Sequence, residues 1–414
     1  MRNGFPNLMK FLFLADVSGR VAHVGDEGML EANVSLFRRL VPGCSIAVAA
    51  GPDWDGDRLG VKPVPRWEFS HDSEADREVL LNALSTSPDV HHPTIQAVLS
   101  CDALIISGGG NLSRTWPYYI YERLSMARLA ASRKIPVILL GQTLGPEFRL
   151  RERQLVSELL QLSVWVGLRE TFSYALALEL GAKRENLSYQ VDDALFLAGE
   201  SLMPAMQEEK LALPKDQPWI AVTAHLIGEP SVHNPLIARL AADLRAIAKA
   251  TEGKLVFIPH VAFSSSDKSL GDRVVGEALR RALYDNPSIC ITPVLSAPQT
   301  LWLTQQAALV ISTRYHPLVF ALAGAVPALG IWSDEYTRRK LQGALIHAER
   351  SKDALSIEEL RTGELVARAM DMWHARASQK EELQARVRSW HEAEKVRTAK
   401  LKTLLFEKIA RKTL

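Results

Sequence analysis

A permanent cation and an imidazole stand at a junction that ought to be dry. The stretch Ile311–Ile331 reads ISTRYHPLVFALAGAVPALGI: an apolar run ends at Thr313, then come Arg314, Tyr315 and His316, and Pro317 opens a small-residue apolar segment. A guanidinium placed between a buried strand and a buried helix loses hydration, and it is tolerated only where an anion pairs with it. That anion is either a fixed carboxylate, with Asp193 and Asp334 as the candidates, or a bound ligand.

Open α/β sheets bind ligands beyond the carboxyl ends of their strands, so the residue after each apolar run deserves the same question. Arg169 ends the run Val164–Leu168 and can clamp a carboxylate or phosphate with two parallel hydrogen bonds. Gly108, Gly109, Gly110 and Asn111 follow Ala103–Ser107; glycines there let the backbone approach a ligand. This is not a phosphate loop of the Gly-Lys-Ser/Thr kind. Gln142 follows Pro136–Gly141 and would project into a cleft, whereas Gly141, Gly145 and Pro146 shape a turn. Asp26, in HVGDEGMLEA (23–32), either caps a helix or accepts a hydrogen bond from a sugar hydroxyl. His225 and His260 each end a strand, and with His316 they put three imidazoles at equivalent edges. No carboxylate cluster accompanies them, so no metal is expected.

The elements that must position these groups alternate along the chain. Strands are expected at Lys10–Asp16, Ser45–Ala50, Ala103–Ser107, Pro136–Gly141, Val164–Leu168 and Leu187–Val191, and again at Trp219–His225, Lys254–His260, Ile289–Thr292, Leu309–Ser312 and Ala328–Trp332. Helical periodicities lie between them, among them Pro117–Ser132, Leu150–Leu162, Asp267–Ala282 and Pro317–Gly324. Continuous apolar strands separated by helices imply parallel sheets covered on both faces. DALIISGGG (102–110) followed by IPVILLGQ (135–142) echoes AALVISTRYH (307–316) followed by VPALGIW (326–332). The polar stretch 199–217 breaks the rhythm as a linker, giving α/β domains over 1–198 and 218–350 and a helical C-terminal extension over 351–414.

At 414 residues the chain exceeds one compact core. Lys plus Arg total 49 against 47 Asp plus Glu, which gives no case for a nucleic-acid binder. The isolated Cys44, Cys101 and Cys290 read as reduced core residues of a cytoplasmic protein. The N-terminal apolar run is short and interrupted by Asp16, so it reads as a strand rather than a signal peptide. From Arg376 to Leu414 there are eleven Lys or Arg against five Asp or Glu. Leu383, Val387 and Trp390 form one apolar stripe, and Leu401, Leu404, Leu405 and Ile409 another. A docked helix pair is expected; the alternative is peripheral contact with an anionic membrane surface that carries a lipid-linked acceptor.

Taken in order, HVGDEGMLEA, DALIISGGGNL, IPVILLGQTLGPE, GLRETFS, VDDALFL, FIPHVAFSSSDKSLGD and VISTRYHPLVFALAGAVPALGI cover most of residues 20–345 and resemble the polysaccharide pyruvyl transferase family. The resemblance implies two Rossmann-like doubly wound domains facing a central cleft, as in the glycosyltransferase B arrangement. It also implies transfer of the carboxyethylidene unit of phosphoenolpyruvate onto two hydroxyls of one sugar, forming a cyclic ketal and free phosphate, in cell-surface polysaccharide biosynthesis. The family's Arg-Leu-His-Gly is Arg314-Tyr315-His316-Pro317 here, so Tyr315 alters the pocket wall. The family's lysine after the next strand falls in IWSDEYTRRK (331–340), where Arg338, Arg339 or Lys340 fills the role.

On this resemblance the first domain is the acceptor side, with Gly108, Gly109, Gly110, Asn111 and Gln142 at the acceptor, and the second is the phosphoenolpyruvate side; Arg169 and Arg314 hold the donor's two anions. His316 protonates the methylene carbon or contacts the phosphate, and Asp26 or His260 takes the hydroxyl proton. No cofactor is implied beyond phosphoenolpyruvate as donor. An inverting nucleotide-sugar glycosyltransferase of the same architecture is the alternative, and a non-catalytic assembly scaffold a third.

Overall fold

The computed structural model describes residues 8–86, 89–201, 213, 217–225, 231, 234–264, 271–284 and 288–412. Most of the expected linker 199–217 lies outside them. The chain divides into two compact units: Met1–Arg20, Met29–Asp193 and Glu392–Leu414 in one, Val21–Gly28 and Ala194–His391 in the other. The segment Val21–Gly28 therefore belongs with the second unit, although its neighbours in sequence belong with the first. The expected extension over 351–414 is likewise shared, changing unit at Glu392.

The first unit holds β1 (Lys10–Leu14), and after the excursion of β2 (Val21–His23) into the second unit come β3 (Ser45–Ala50), β4 (Lys62–Pro65), β5 (Ala103–Ile106), β6 (Gly109–Leu112), β7 (Val137–Leu144), β8 (Ser163–Leu168) and β9 (Leu187–Tyr189). They pair in parallel in the order β4-β3-β1-β5-β7-β8-β9, with β6 alongside β7. Strand β1 shows why the sheet is covered on both faces. Leu12 and Leu14 point into one buried cluster, and Phe11 and Phe13 into another. Alternation of side chains gives each face its own apolar set, and helices cover both.

The second unit holds β10 (Trp219–Thr223), β11 (Lys254–Phe257), β12 (Val261–Phe263), β13 (Ile289–Ile291), β14 (Leu309–Ser312), β15 (Ala328–Trp332) and β16 (Ala354–Ser356). Its parallel sheet runs β13-β11-β10-β14-β15-β16. In chain order that is third, second, first, fourth, fifth, sixth, the doubly wound arrangement. β12 leaves the sheet and pairs antiparallel with β2, Val261 opposite His23. The sequence echo has a structural basis: β5 beside β7 and β14 beside β15 occupy equivalent places, on the same side of each sheet's first strand.

Residues Arg376–Lys412 form one helix of 37 residues rather than the expected pair. Leu401, Leu405 and Ile409 bury among Phe11, Phe13 and Phe37, so that apolar stripe is committed to the core of the first unit. Among the described residues no helix is long and apolar enough to cross a membrane. The buried Arg397 of this helix holds the Asp193 carboxylate at 3.3 Å and donates to Gln190 Oε1 at 2.9 Å. Burial pushes the Asp193 carboxyl up to about 6, although Arg397 pulls it down. A carboxyl raised in the folded state binds its proton more tightly there than when unfolded, so stability is gained as pH falls through about 6. Arg397→Met leaves that carboxylate buried without its cation. The expected loss is about 3–5 kcal/mol at pH 8 and clearly less at pH 5, where Asp193 is neutral. Melting curves of wild type and variant at both pH values check it; an equal loss at both would contradict the account.

Candidate active site

In the second unit the first strand, β10, lies between β11 and β14, so a crevice opens at the carboxyl ends of β10 and β14. Thr313 ties those ends together. Its amide donates to Thr223 O at 3.0 Å, and its hydroxyl donates to His225 O at 3.0 Å and accepts from the His225 amide at 2.6 Å. Arg314 follows at once, as the residue before the helix Tyr315–Ala323. Its amide donates to Ser312 Oγ at 2.9 Å, and the Ser312 hydroxyl donates to Arg314 O at 3.0 Å. The backbone at the junction is thus satisfied locally, and the guanidinium is free of backbone duty.

That guanidinium meets a carboxylate foreseen in kind but not in position. Asp272, wholly buried, accepts from Arg314 Nε at 2.9 and 2.8 Å and from Nη2 at 2.5 Å. The expected partners are elsewhere: Asp193 pairs with Arg397, and Asp334 caps the helix Glu335–Ile346 through the Thr337 amide at 2.8 Å. Asp272 also accepts from the amides of His260 and Val261, at 2.9 and 3.0 Å. It opens the helix Asp272–Leu283, where the helix dipole favours an anion. Gly271 before it has φ of 93°, and a Cβ there would lie 2.8 Å from Val261 O, so the tight approach requires glycine. The Arg314 side chain keeps 24% exposure, so a dissolved anion can reach a cation already oriented from behind.

Three imidazoles surround this pair. His260 is buried, and among the described residues neither ring nitrogen has a hydrogen-bond partner. Burial pushes its pKa down to about 3; Asp272 opposes the shift, and His316 and Arg314 add to it. It is therefore a neutral imidazole at working pH. His225 is lowered by burial and by the Arg314 cation. His316 packs against the backbone of Gly25, where a Cβ would sit 1.8 Å from its Nδ1. The Phe320 ring lies 5.6 Å from the His260 ring and 6.3 Å from that of His316, so both imidazoles share one apolar wall. The Val24 amide donates to His260 O at 3.0 Å, which with the β2–β12 pairing fixes Gly25 in place. Asp26 pairs with His23 Nδ1 at 3.3 Å.

Among the three cations near 338–340, the geometry separates one from two. Glu335 takes Arg338 at 2.7 Å and Arg339 at 2.5 Å, and the Arg338 hydrogen bonds foremost bring its carboxyl down to about 2. Lys340 has phenols instead: Nζ donates to Tyr336 Oη at 3.3 Å and lies 4.9 and 5.4 Å from the Tyr336 and Tyr315 rings. Among the described residues no carboxylate pairs with it. Tyr315, buried beside His316, thus forms the wall against which Lys340 rests.

The first unit treats its sequence candidates differently. Arg169 has no exposure; Asp192 holds Nη1 at 2.5 Å, and Thr143 and Glu170 take Nε at 2.8 and 3.2 Å, so its anion partners are the protein's own. Gln142 is buried and donates to the carbonyls of Ser107 and Leu140, both at 2.8 Å, tying strand ends together rather than projecting into a cleft. Gly108, Gly109 and Gly110 do not form an anion-binding turn, because Gly109–Leu112 is strand β6 and the next helix starts only at Pro117. Asn111 donates to Asp16 Oδ2 at 3.1 Å. Sequence reasoning missed Asp272, His23 and the role of Gly25. The signal for Asp272 was present, as an acidic residue after glycine at the head of an amphipathic helix.

The model of polysaccharide pyruvyl transferases matches residues 23–335, well over half of the chain. The chain belongs to that family. The match runs from His23 to Glu335 and so includes Asp26, His260, Asp272, Arg314 and His316, while Lys340 lies just beyond it. No protein among the curated sequences matches. Solved structures show the same fold at low identity. A Listeria monocytogenes protein provisionally described as a UDP-N-acetylglucosamine 2-epimerase is 14% identical with TM-score 0.60, covering 92% of this chain and 91% of its own. Anabaena HepE is 12% identical with TM-score 0.58, covering 96% and 99%. The UDP-GlcNAc 2-epimerase of Neisseria meningitidis is 14% identical with TM-score 0.55, covering 91% and 94%. This pyruvyl transferase family member therefore has the two-domain, glycosyltransferase B-like fold, each half Rossmann-like, and a C-terminal helix.

The contact between Gly25 and His316 gives a direct test. Gly25→Ala drives a methyl group into the imidazole, and overpacking of this kind costs about 1–3 kcal/mol. The double variant Gly25→Ala, His316→Ala is expected to recover most of that loss, because the ring that clashes is gone. A double-mutant cycle by denaturation measures it; independent, additive losses would show that the two do not meet.

Proposed function

We propose that this chain transfers the carboxyethylidene group of phosphoenolpyruvate onto two hydroxyls of one sugar, with the donor held in the second unit. The observation that carries the reading is Arg314: a cation oriented by buried Asp272, still reachable, and set beside the neutral imidazole of His260. Phosphoenolpyruvate presents a phosphate and a carboxylate close together. Arg314 and Lys340 are the two cations assigned to them, and Arg338 and Arg339, which share Glu335, are not. A planar guanidinium suits a bidentate anion, and a lysine serves as a mobile point charge.

In the proposed reaction His316 delivers a proton to the methylene carbon, which becomes the methyl group. The C2 cation so formed is attacked by one sugar hydroxyl, making the first C–O bond. Asp26 or His260 accepts the hydroxyl proton, with Asp26 placed first because burial disfavours the protonated His260. The second hydroxyl forms the other C–O bond as the bond from C2 to the phosphate oxygen breaks, and its proton leaves with the phosphate or through Asp26. Donor plus diol thus gives cyclic ketal plus inorganic phosphate, with no redox change. General acid catalysis at His316 is worth about 10²–10⁴-fold. The product is read as belonging to cell-surface polysaccharide synthesis in the cytoplasm; the family's name supports the polysaccharide part of that reading.

A nucleotide-sugar reading has one observation in its favour: similar folds have been solved with UDP or UDP-GlcNAc bound. The first test is therefore ligand protection. Phosphoenolpyruvate is expected to raise the melting temperature of the wild-type chain but not of Arg314→Met. Stabilisation by UDP-GlcNAc and not by phosphoenolpyruvate would overturn the proposal. With a competent acceptor, Lys340→Ala is expected to lower kcat/KM by about 100-fold or more and His316→Ala by about 10²–10⁴-fold, while Arg339→Ala stays within about threefold. Phosphate release, and a product heavier by one pyruvate less one water, supply the readout.

A further inference from the structure

The first unit repeats the topology of the second, so it too has a crevice at its switch point, between the carboxyl ends of β1 and β5. Asp16 lies there, two residues beyond β1. Among its partners are Asn111 at 3.1 Å, Arg66 at 3.3 Å and the Tyr119 hydroxyl, all donating to its carboxylate. Even so, its side chain keeps 20% exposure. The site is built, because Arg66 and Asn111 arrive from separate segments and Tyr119 from the first turn of the helix Pro117–Ser132.

The charges beneath it balance. Arg66 also pairs with Glu122 at 3.3 Å, and Glu122 with Arg123 at 2.6 Å, so two guanidinium groups meet two carboxylates. Within this set of four groups, among the described residues, each guanidinium has a carboxylate. The second unit differs, because Lys340 there has no carboxylate partner among the described residues. A neutral ligand rich in hydroxyls suits balanced charge, since it exchanges hydrogen bonds without bringing a charge to desolvate.

The rim is aromatic. Trp116 is 40% exposed although most large apolar side chains of this unit are buried. Tyr118 lies 6.3 Å from it, and the exposed His71 ring stacks on Tyr118 at 4.0 Å with 10° between planes. Flat rings of this kind offer an apolar face to the C–H face of a pyranose, while the polar edge of the sugar reaches the carboxylate.

We propose that the switch-point crevice of the first unit is a binding site for a neutral hexose, with Trp116 and Tyr118 as its stacking platform and Asp16 as acceptor for the sugar's hydroxyls. If the proposed transfer holds, this hexose is the acceptor. The assignment moves acceptor recognition away from Gln142 and Gly108–Gly110, which are used in strand packing.

Saturation-transfer NMR on the full chain without phosphoenolpyruvate tests binding alone. The probes are p-nitrophenyl glycosides of glucose, galactose, mannose and their 2-acetamido forms. At least one is expected to bind wild type, to lose about three- to tenfold in affinity in Trp116→Ala, and to regain most of it in Trp116→Phe. Where turnover is measurable, Trp116→Ala raises the glycoside KM by the same factor and leaves the phosphoenolpyruvate KM within twofold. No binding of any of these glycosides by wild type, or unchanged affinity in Trp116→Ala, overturns the site. Failure of phosphoenolpyruvate to bind would instead count against the donor reading and leave the glycoside result to stand or fall separately.

Discussion

The second unit is organised around one buried carboxylate. Asp272 accepts from the Arg314 guanidinium and from two consecutive amides, and it does so from the first residue of a helix. Each of these contacts fixes a different segment. Arg314 fixes the end of β14, the amides of His260 and Val261 fix the route from β11 into β12, and β12 fixes β2. Through β2 it holds Gly25 against His316. Removing one partner of such a pair strands a charge in a dry place, at a cost of about 3–5 kcal/mol. The pair is thus a weak source of net stability and a strong constraint on geometry, which is what an anion site needs.

Both units use the same doubly wound sheet but handle charge differently. In the first unit four of the buried guanidinium groups are matched by carboxylates: Arg169 by Asp192 and Glu170, Arg397 by Asp193 and Glu394, Arg66 and Arg123 by Asp16 and Glu122, whereas buried Arg77 donates to the carbonyls of Ser70 and His71. In the second, Lys340 rests on phenols and the exposed part of Arg314 faces outward from its carboxylate. Matched charge favours uncharged ligands and unmatched cations favour small anions. On that physical ground we place the proposed donor in the second unit and the proposed acceptor in the first.

The long C-terminal helix is part of this economy rather than an appendage. Its stripe at Leu401, Leu405 and Ile409 completes the core of the first unit, and Arg397 supplies the cation for Asp193. An amphipathic helix that binds a membrane surface needs its apolar face outward. Here the buried stripe faces the core, and Val396 is the large apolar side chain of the helix that is most exposed.

Much of this was legible in the residues. Continuous apolar strands between helical periods sufficed for two parallel sheets, and the helices Pro117–Ser132 and Leu150–Leu162 have the boundaries that their periodicity indicates. The short strands β2, β4, β6, β12 and β16 were not legible, because three or four residues carry no period and are made by their pairing partners. Residue types alone marked Arg314 and His316, since a cation at an apolar junction needs an anion whatever the fold. Which anion lies behind Arg314, which of three neighbouring cations lacks a carboxylate, and whether Arg169 meets solvent depend on side chains far apart in sequence. Arg314 and Asp272 are 42 positions apart, so only the folded chain could bring them into contact.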